Sequence, residues 1–354
     1  MLVRRLGLVD FRNHENKNLE FNEGINIISG PNACGKTNIV EAIYYLSLAR
    51  SFRGVEDFDL IRRGKDLSAI AADVEEGKIK RNVRILITKK GRQVLVNGKK
   101  VSRISELSKC VNVLLFEPKD VMLFRGQPRE RRNFLDISLS KKYPAYLDYI
   151  SSYEKVLRQR NEILKGEKVD EKLLESSTEL LVKYADRIVA YRDKYVKDIN
   201  DILIKITHAL AGVKGSIKID YHPFIPLTGS FKEEALEAYK RSLDSDLKHK
   251  VTSIGVHRED FSVSLNGRDI GTFGSQGENR LVALALKLSP YFLIEDKEKR
   301  PVVVLDDVMS ELDNKHQERL IEFVKKFDQV FITATKLEIN GATQINLNKS
   351  KEVF

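Results

Sequence analysis

The sequence predicts an α/β protein: a discontinuous domain of mixed sheets interrupted by an inserted all-helical arm. Three observations carry that reading. Short apolar runs punctuated by turn signals fill residues 1–120, helical periodicity takes over from Pro128, and buried-type β runs resume beyond 251. The head is accordingly assigned to 1–127 together with 251–354, and the arm to 128–250.

Strands are expected over 2–9, 19–21, 25–29, 67–74, 80–88, 93–96 and 111–116. Lys89-Lys90-Gly91-Arg92 and Asn97-Gly98 read as hairpin turns, because glycine accepts a positive φ without a Cβ clash. Pro128 suits the first position of a helix, where no N–H is needed. Tyr146, Ile150, Tyr153 and Leu157 fall on one helical stripe, as do Leu181, Tyr184, Ile188, Tyr195, Ile199 and Ile202. A turn at 166–170 separates them, and a helix over 171–211 would run about 60 Å at 1.5 Å per residue. A break is expected at 212–216, then a helix over 231–250, a strand over 261–265, a helix over 276–294, and strands over 302–305 and 330–333.

Composition narrows the class. The 354 residues are 42% hydrophobic and 32% charged with only 20 Gly and 8 Pro, which excludes disordered and low-complexity chains. The longest apolar stretch, 282–294, is interrupted by Lys287 and is too short to cross a membrane. Arg4 and Arg5 are followed by too few apolar residues for a secretory signal, so a cytoplasmic location without membrane association is expected. Two cysteines build no disulfide framework; Cys34 is read as a loop thiol and Cys110 as a strand-edge thiol, both reduced. The net charge of +10 is matched by one window, 78–109, which holds eleven basic residues against the single acid Glu106. Such a window points to an acidic partner.

The chemistry begins at Gly30-Pro31-Asn32-Ala33-Cys34-Gly35-Lys36-Thr37, which follows the 25–29 strand and opens a helix at Asn38. This is a P-loop in its proper strand–loop–helix setting. Glycines let the backbone wrap with its N–H groups inward, the helix N-terminus adds positive potential, Lys36 reaches the β and γ phosphates of ATP, and the Thr37 hydroxyl ligates Mg²⁺. The buried run Val302-Val303-Val304-Leu305 then ends in Asp306 and Asp307. Asp306 is placed to hold Mg²⁺, and Asp307 to orient or deprotonate the attacking water. A third element, Gly274-Ser275-Gln276-Gly277-Glu278, opens the 276–294 helix and presents a second anion-ready helix start. Two such starts in one chain suggest a head-to-tail homodimer, in which Ser275 and Gly277 of one protomer meet the γ-phosphate held by the other.

Together these residues resemble an ABC-type ATPase head, with 30–37 as Walker A, 275–278 as signature, Asp306 and Asp307 as Walker B, and 310–313 as D-loop. More specifically the chain resembles the RecF family of bacterial recombination mediators. The matching words are Phe11-Arg12-Asn13, Gly30-Pro31-Asn32 through Asn38, Arg50-Ser51-Phe52-Arg53, Arg131-Arg132-Asn133-Phe134-Leu135-Asp136, His257-Arg258-Glu259-Asp260-Phe261 and Gly274-Ser275-Gln276-Gly277. The resemblance implies an ATP-dependent homodimer that binds DNA, hydrolyses ATP slowly and cooperates with RecR and RecO in loading RecA at gaps. It also implies that Arg12 and Asn13 approach the nucleotide.

Beside such a head, Lys78, Lys80, Arg81, Arg84, Lys89, Lys90 and Arg92 become expected contacts for the backbone of duplex DNA or a duplex/single-strand junction. Glu278 replaces the usual signature Gln, and Thr333 and Thr335 stand where a transporter-type ATPase has a switch His, so turnover is expected to be weak. Two other readings compete: the nucleotide-binding subunit of a transporter, and an ATP-gated scaffold without significant turnover. Against the transporter, the stretch from Thr37 to Ser275 is filled by basic hairpins and a long arm.

Overall fold

A computed structural model of the chain describes residues 1–211 and 215–347, so part of the predicted 212–216 break lies outside the described residues. The chain divides into two compact units, one of Met1–Val121, Lys205–Lys214 and Gln276–Phe354, the other of Met122–Ile204 and Gly215–Ser275.

The first unit starts with β1 (Leu2–Phe11), whose inward residues Val3, Leu6, Leu8 and Phe11 are fully buried. β2 (His14–Glu20) pairs antiparallel with it. β3 (Gly24–Ser29) is buried along nearly its whole length, as a strand covered on both faces must be, and leads through the 30–35 loop into α1 (Lys36–Leu48). β4 (Leu67–Glu76), β5 (Ile79–Thr88), β6 (Gly91–Val96) and β7 (Lys99–Val101) complete a six-stranded sheet in the order β2-β1-β4-β5-β6-β7. The β6–β7 turn has Asn97 at φ 50 and Gly98 at φ 78, the left-handed pair that the Asn-Gly signal predicts. α2 (Ile104–Cys110) precedes β8 (Val113–Phe116). Cys110 is therefore not a strand-edge thiol: it ends a helix, where its Sγ lies 3.3 Å from the Glu106 carbonyl, because the apolar run becomes a strand only from Val113.

The second unit opens with α3 (Pro128–Lys142), with Pro128 in the first turn as expected, followed by α4 (Pro144–Lys165) and α5 (Glu171–Ala211), which runs on into the first unit. β9 (Ile217–His222), α6 (Phe231–His249), β10 (Asp260–Leu265), β11 (Arg268–Asp269) and the one-turn α7 (Ile270–Phe273) follow. β10 pairs with β9 and β11, so this unit carries a three-stranded sheet as well as its helices, and 251–275 groups with it, whereas the sequence reading places that segment in the head. The pairing of β10 with β9 is what draws it there.

The chain re-enters the first unit through α8 (Gln276–Phe292), β12 (Val302–Leu305), α9 (Asn314–Val324), β13 (Gln329–Ala334) and β14 (Thr343–Asn346). The last three strands join β3 and β8 in an all-parallel sheet, β14-β3-β13-β12-β8. α1 contacts both sheets of this unit, which is why ten of its thirteen residues are buried and why it lacks a polar face. The parallel arrangement brings the carboxyl ends of β3, β8, β12 and β13 to one edge, the place where open α/β sheets bind ligands.

Candidate nucleotide site

At that edge β3 ends in Ser29 and the chain wraps through Gly30 (φ 154), Ala33 (φ 66) and Gly35 (φ 99). Glycine is required twice. A Cβ on Gly30 would lie 2.5 Å from the Leu347 carbonyl oxygen, and one on Gly35 would lie 2.6 Å from His14 Nε2 and 2.7 Å from Asn13 Oδ1. Pro31, Asn32 and Ala33 are exposed on the rim while Cys34 is buried beneath it. Lys36 begins α1, and its Nζ donates to the carbonyls of Gly30 at 2.8 Å and Pro31 at 2.9 Å, so the ammonium spans the loop. The wrapped backbone and this ammonium have the conformation and charge of an anion-binding loop.

Behind the loop the Thr37 hydroxyl donates to Asp306 Oδ1 at 3.2 Å, across 269 residues of sequence. The Thr333 hydroxyl donates to the same oxygen at 2.7 Å and accepts from the Asp307 N–H at 2.8 Å. Burial pushes the Asp306 carboxyl up, and the hydroxyl bonds from Thr333 and Thr37 and the charge of Arg53 oppose that rise. Asp307 leaves the strand at φ 49 with its side chain exposed, beside a buried Asp306. Thr333 thus occupies the position next to the two acids, and its significance is missed by a reading that notes only which residue it replaces.

Asn13 and Asn38 come together: Asn38 Nδ2 donates to Asn13 Oδ1 at 2.8 Å, directly against the loop. Arg12, held at φ 54, instead places its guanidinium on the fully buried Glu41 of α1, with Nε at 2.9 Å and Nη2 at 2.7 Å. Glu41 also accepts the Ser51 hydroxyl at 2.5 Å and faces Arg53 at 3.7 Å. The words Phe11-Arg12-Asn13 and Arg50-Ser51-Phe52-Arg53 therefore meet on one carboxylate under the loop, a role for Glu41 that no local pattern announces.

α8 starts at Gln276, where the sequence predicts a helix to open; Ser275 and Gly277 are exposed there, and a Cβ on Gly277 would meet nothing within 4 Å. One turn into the helix, Arg280 pairs with Glu311 of the expected D-loop. Of the seven cations read as DNA contacts, Arg81 is tied to Glu76 and Arg92 to Asp57, with side chains only 18% and 35% exposed. The exposed Lys80 pairs with the half-buried Glu75, which Arg4 also holds, and Lys89 makes an exposed pair with Asp66. No acid pairs with Lys78, Arg84 or Lys90 among the described residues.

Comparisons with known proteins match this architecture. Residues 2–349 fit the family model described as RecF/RecN/SMC N terminal domain. The DNA replication and repair protein RecF of Streptococcus gordonii is 39% identical over 344 residues, 96% of this chain and 94% of the relative. A solved structure of the recombination mediator protein RecF-ATPrS in RecFOR pathway superposes with a TM-score of 0.90 at 31% identity, over 98% of both chains. The Smc head domain with an extended coiled coil, derived from Pyrococcus furiosus, shares the fold at a TM-score of 0.54 and 19% identity, over 94% of this chain and 89% of that one. No helix among the described residues is long and apolar enough to cross a membrane. Matched over nearly its whole length by these relatives, the chain belongs to the RecF family.

Proposed function

We propose that the chain is a nucleotide-gated DNA-repair protein that binds ATP and Mg²⁺ at the P-loop, dimerises through the bound nucleotide and grips DNA while ATP is held. The observation that carries this reading is the Thr37–Asp306–Thr333 cluster set directly behind a glycine-wrapped loop spanned by Lys36. Family membership and the likeness to a RecF solved with a nucleotide support it.

In this reading the N–H groups of 32–38 bind the phosphates and Lys36 neutralises them. The Thr37 hydroxyl and Asp306 carboxylate hold Mg²⁺. Among the described residues no cluster of three or more His, Cys, Asp or Glu exists to bind a metal alone, which suits an ion held by one carboxylate together with phosphate oxygens. Bound Mg²⁺ supplies charge neutralisation and orientation of the phosphates. Asp307, held by Thr333 through its backbone N–H, aims its carboxylate at the water, and Asn13 lies against the loop for nucleotide contact; Arg12 acts one step back by fixing Glu41 and α1. Ser275 and Gly277 complete the site of the partner protomer. Glu278 and Thr333 in place of the usual signature Gln and switch His make turnover slow, so that assembly and release are the main use of ATP. RecR and RecO are the partners and loading of RecA at gaps is the output; the place of action is the cytoplasm.

The test is sedimentation of the full chain with ADP, with ATP, and with ATP plus a short duplex. Wild type should dimerise with ATP and more tightly with duplex. Lys36→Ala should abolish the ATP-dependent dimer, and a full dimer yield from this variant refutes the site.

A further inference from the structure

Two family words have no place in the nucleotide chemistry, yet within the second unit they lock onto each other. Arg131 sets Nε and Nη2 on the Asp260 carboxylate at 2.8 and 2.7 Å. Arg132 donates to the Glu259 carbonyl at 2.8 Å, and the rings of Phe134 and Phe261 lie 6.1 Å apart. Bidentate arginine contacts of this kind fix geometry as well as adding energy. The first turn of α3 is thereby riveted to the start of β10.

From Asp260 the chain runs out along β10, reverses at Asn266 (φ 53) and Gly267 (φ 76), and returns through β11 into α7 and Ser275. This return is pinned as well. Asp269 caps α7 by accepting from the Thr272 N–H at 2.8 Å. At the other end Arg125, which lies just before α3, donates from Nε to the Gly271 carbonyl at 3.1 Å and from Nη2 to the Gly274 carbonyl at 2.9 Å. Those are carbonyls at the end of a short helix, where a cationic side chain complements the helix terminus. The approach is possible only because residue 271 is glycine: a Cβ there would lie 2.3 Å from the Phe124 carbonyl oxygen. The Gly274 carbonyl belongs to the peptide that continues into Ser275, so the direction of that carbonyl sets the direction of the Ser275 N–H.

We propose that Arg125 is a positioning residue for the signature motif: carried on a segment that Arg131, itself held by Asp260, ties down by donating to the Gly126 carbonyl at 2.8 Å, its guanidinium aims the 271–274 backbone so that Ser275 is presented in a fixed pose to the nucleotide of a partner protomer. This rests on the reading in which Ser275 acts in trans. Arg125 is exposed, and in this role two of its donors serve the chain's own backbone.

The experiment uses the full chain with Arg125→Gln and Arg125→Lys. Binding of a fluorescent ATP analogue to the dilute monomer should be unchanged in both. ATP-dependent dimerisation should weaken about tenfold in Arg125→Gln, the loss of a charge-assisted contact pair, and recover in part in Arg125→Lys, which reaches one carbonyl. A mixing assay assigns the defect to the correct half of the site. Wild type mixed with tagged Lys36→Ala retains one complete composite site and should co-purify with ATP. Wild type mixed with tagged Lys36→Ala/Arg125→Gln retains none, because the intact P-loop faces the altered signature, and should co-purify about tenfold less well. Equal recovery from the two mixtures, normal dimerisation of Arg125→Gln, or an equal loss of monomer ATP binding each overturns the assignment. A wild-type chain that never dimerises with ATP overturns the trans reading itself, whereas a wild-type dimer matched by Arg125→Gln sinks only the role of Arg125.

Discussion

Glu117 leaves β8 at the level where Asp306 leaves β12, since Phe116 is in register with Leu305. Burial pushes its carboxyl up to about 7 even with the Lys119 ammonium 2.9 Å away. The folded chain therefore holds a proton on Glu117 that the unfolded chain releases between its ordinary value of 4.5 and about 7. Stability contributed at this position is full below that window, falls as pH rises through it, and is level above, a difference of about 3 kcal/mol at most. Glu117→Gln should match wild type in melting temperature near pH 4.5 and exceed it at pH 8; thermal melts showing a constant offset across that range contradict the assignment. Residues of this kind mark the limit of what is legible in the chain. Gly30 to Thr37 and Asp306 are readable because loop chemistry and strand ends have local signatures. Thr333, Glu41, Arg53 and Glu117 are not, because each acquires its meaning from a partner distant in sequence, as Thr333 does from Asp306 at 27 residues.

The helices of the second unit are held by more than their apolar stripes. Arg192 of α5, only 1% exposed, reaches the fully buried Glu259 at 2.6 Å and Asp136 of α3 at 2.7 Å, and donates to Tyr146 of α4 at 3.1 Å and to the Val256 carbonyl at 2.8 Å. Glu259 also accepts from Tyr221 and from the Phe224 N–H. Next to it His257 is held down to about 4 by burial and is therefore neutral, accepting from the Tyr153 hydroxyl at 2.8 Å and donating to the Thr252 carbonyl at 3.0 Å. Arg192→Met strands Glu259 without a counter-charge and should cost about 3–5 kcal/mol, while Arg192→Met/Glu259→Gln recovers much of it, because breaking a buried pair is worse than replacing it. Chemical or thermal unfolding of both variants checks this; equal destabilisation by the two refutes it. The helices themselves were readable, the 171–211 helix to the residue, since a 3.6-residue stripe sustained over many turns has no competing pattern. β2 and β14 were less so: β2 is largely polar, and β14 alternates at a sheet edge over four residues.

At the scale of the whole molecule the question is how a net charge of +10 is spent. The basic window forms β5, β6, β7 and most of α2, and its charge is not uniformly available to a partner. Arg81 and Arg92 lie in ion pairs with side chains mostly withdrawn from water, so using them on DNA would leave Glu76 and Asp57 unpaired. Lys89 holds an exposed pair, which is worth little and exchanges readily, and Lys80 shares Glu75 with Arg4, so that acid keeps a counter-charge when Lys80 leaves. Of the seven cations read as DNA contacts, Lys78, Arg84 and Lys90 pair with no acid among the described residues, and a polyanion gains more from these than from the other four. Each phosphate neutralised releases counterions and contributes roughly 0.9 to the slope of log affinity against log salt. The triple variant Lys78→Gln/Arg84→Gln/Lys90→Gln should therefore reduce that slope by roughly 2 to 3 and weaken duplex binding evenly across sequences. Arg92→Gln should lower the melting temperature and leave the slope almost unchanged. Anisotropy titrations of a labelled duplex with ATP at several salt concentrations separate the two outcomes, and an unchanged slope in the triple variant moves the DNA contact off this sheet.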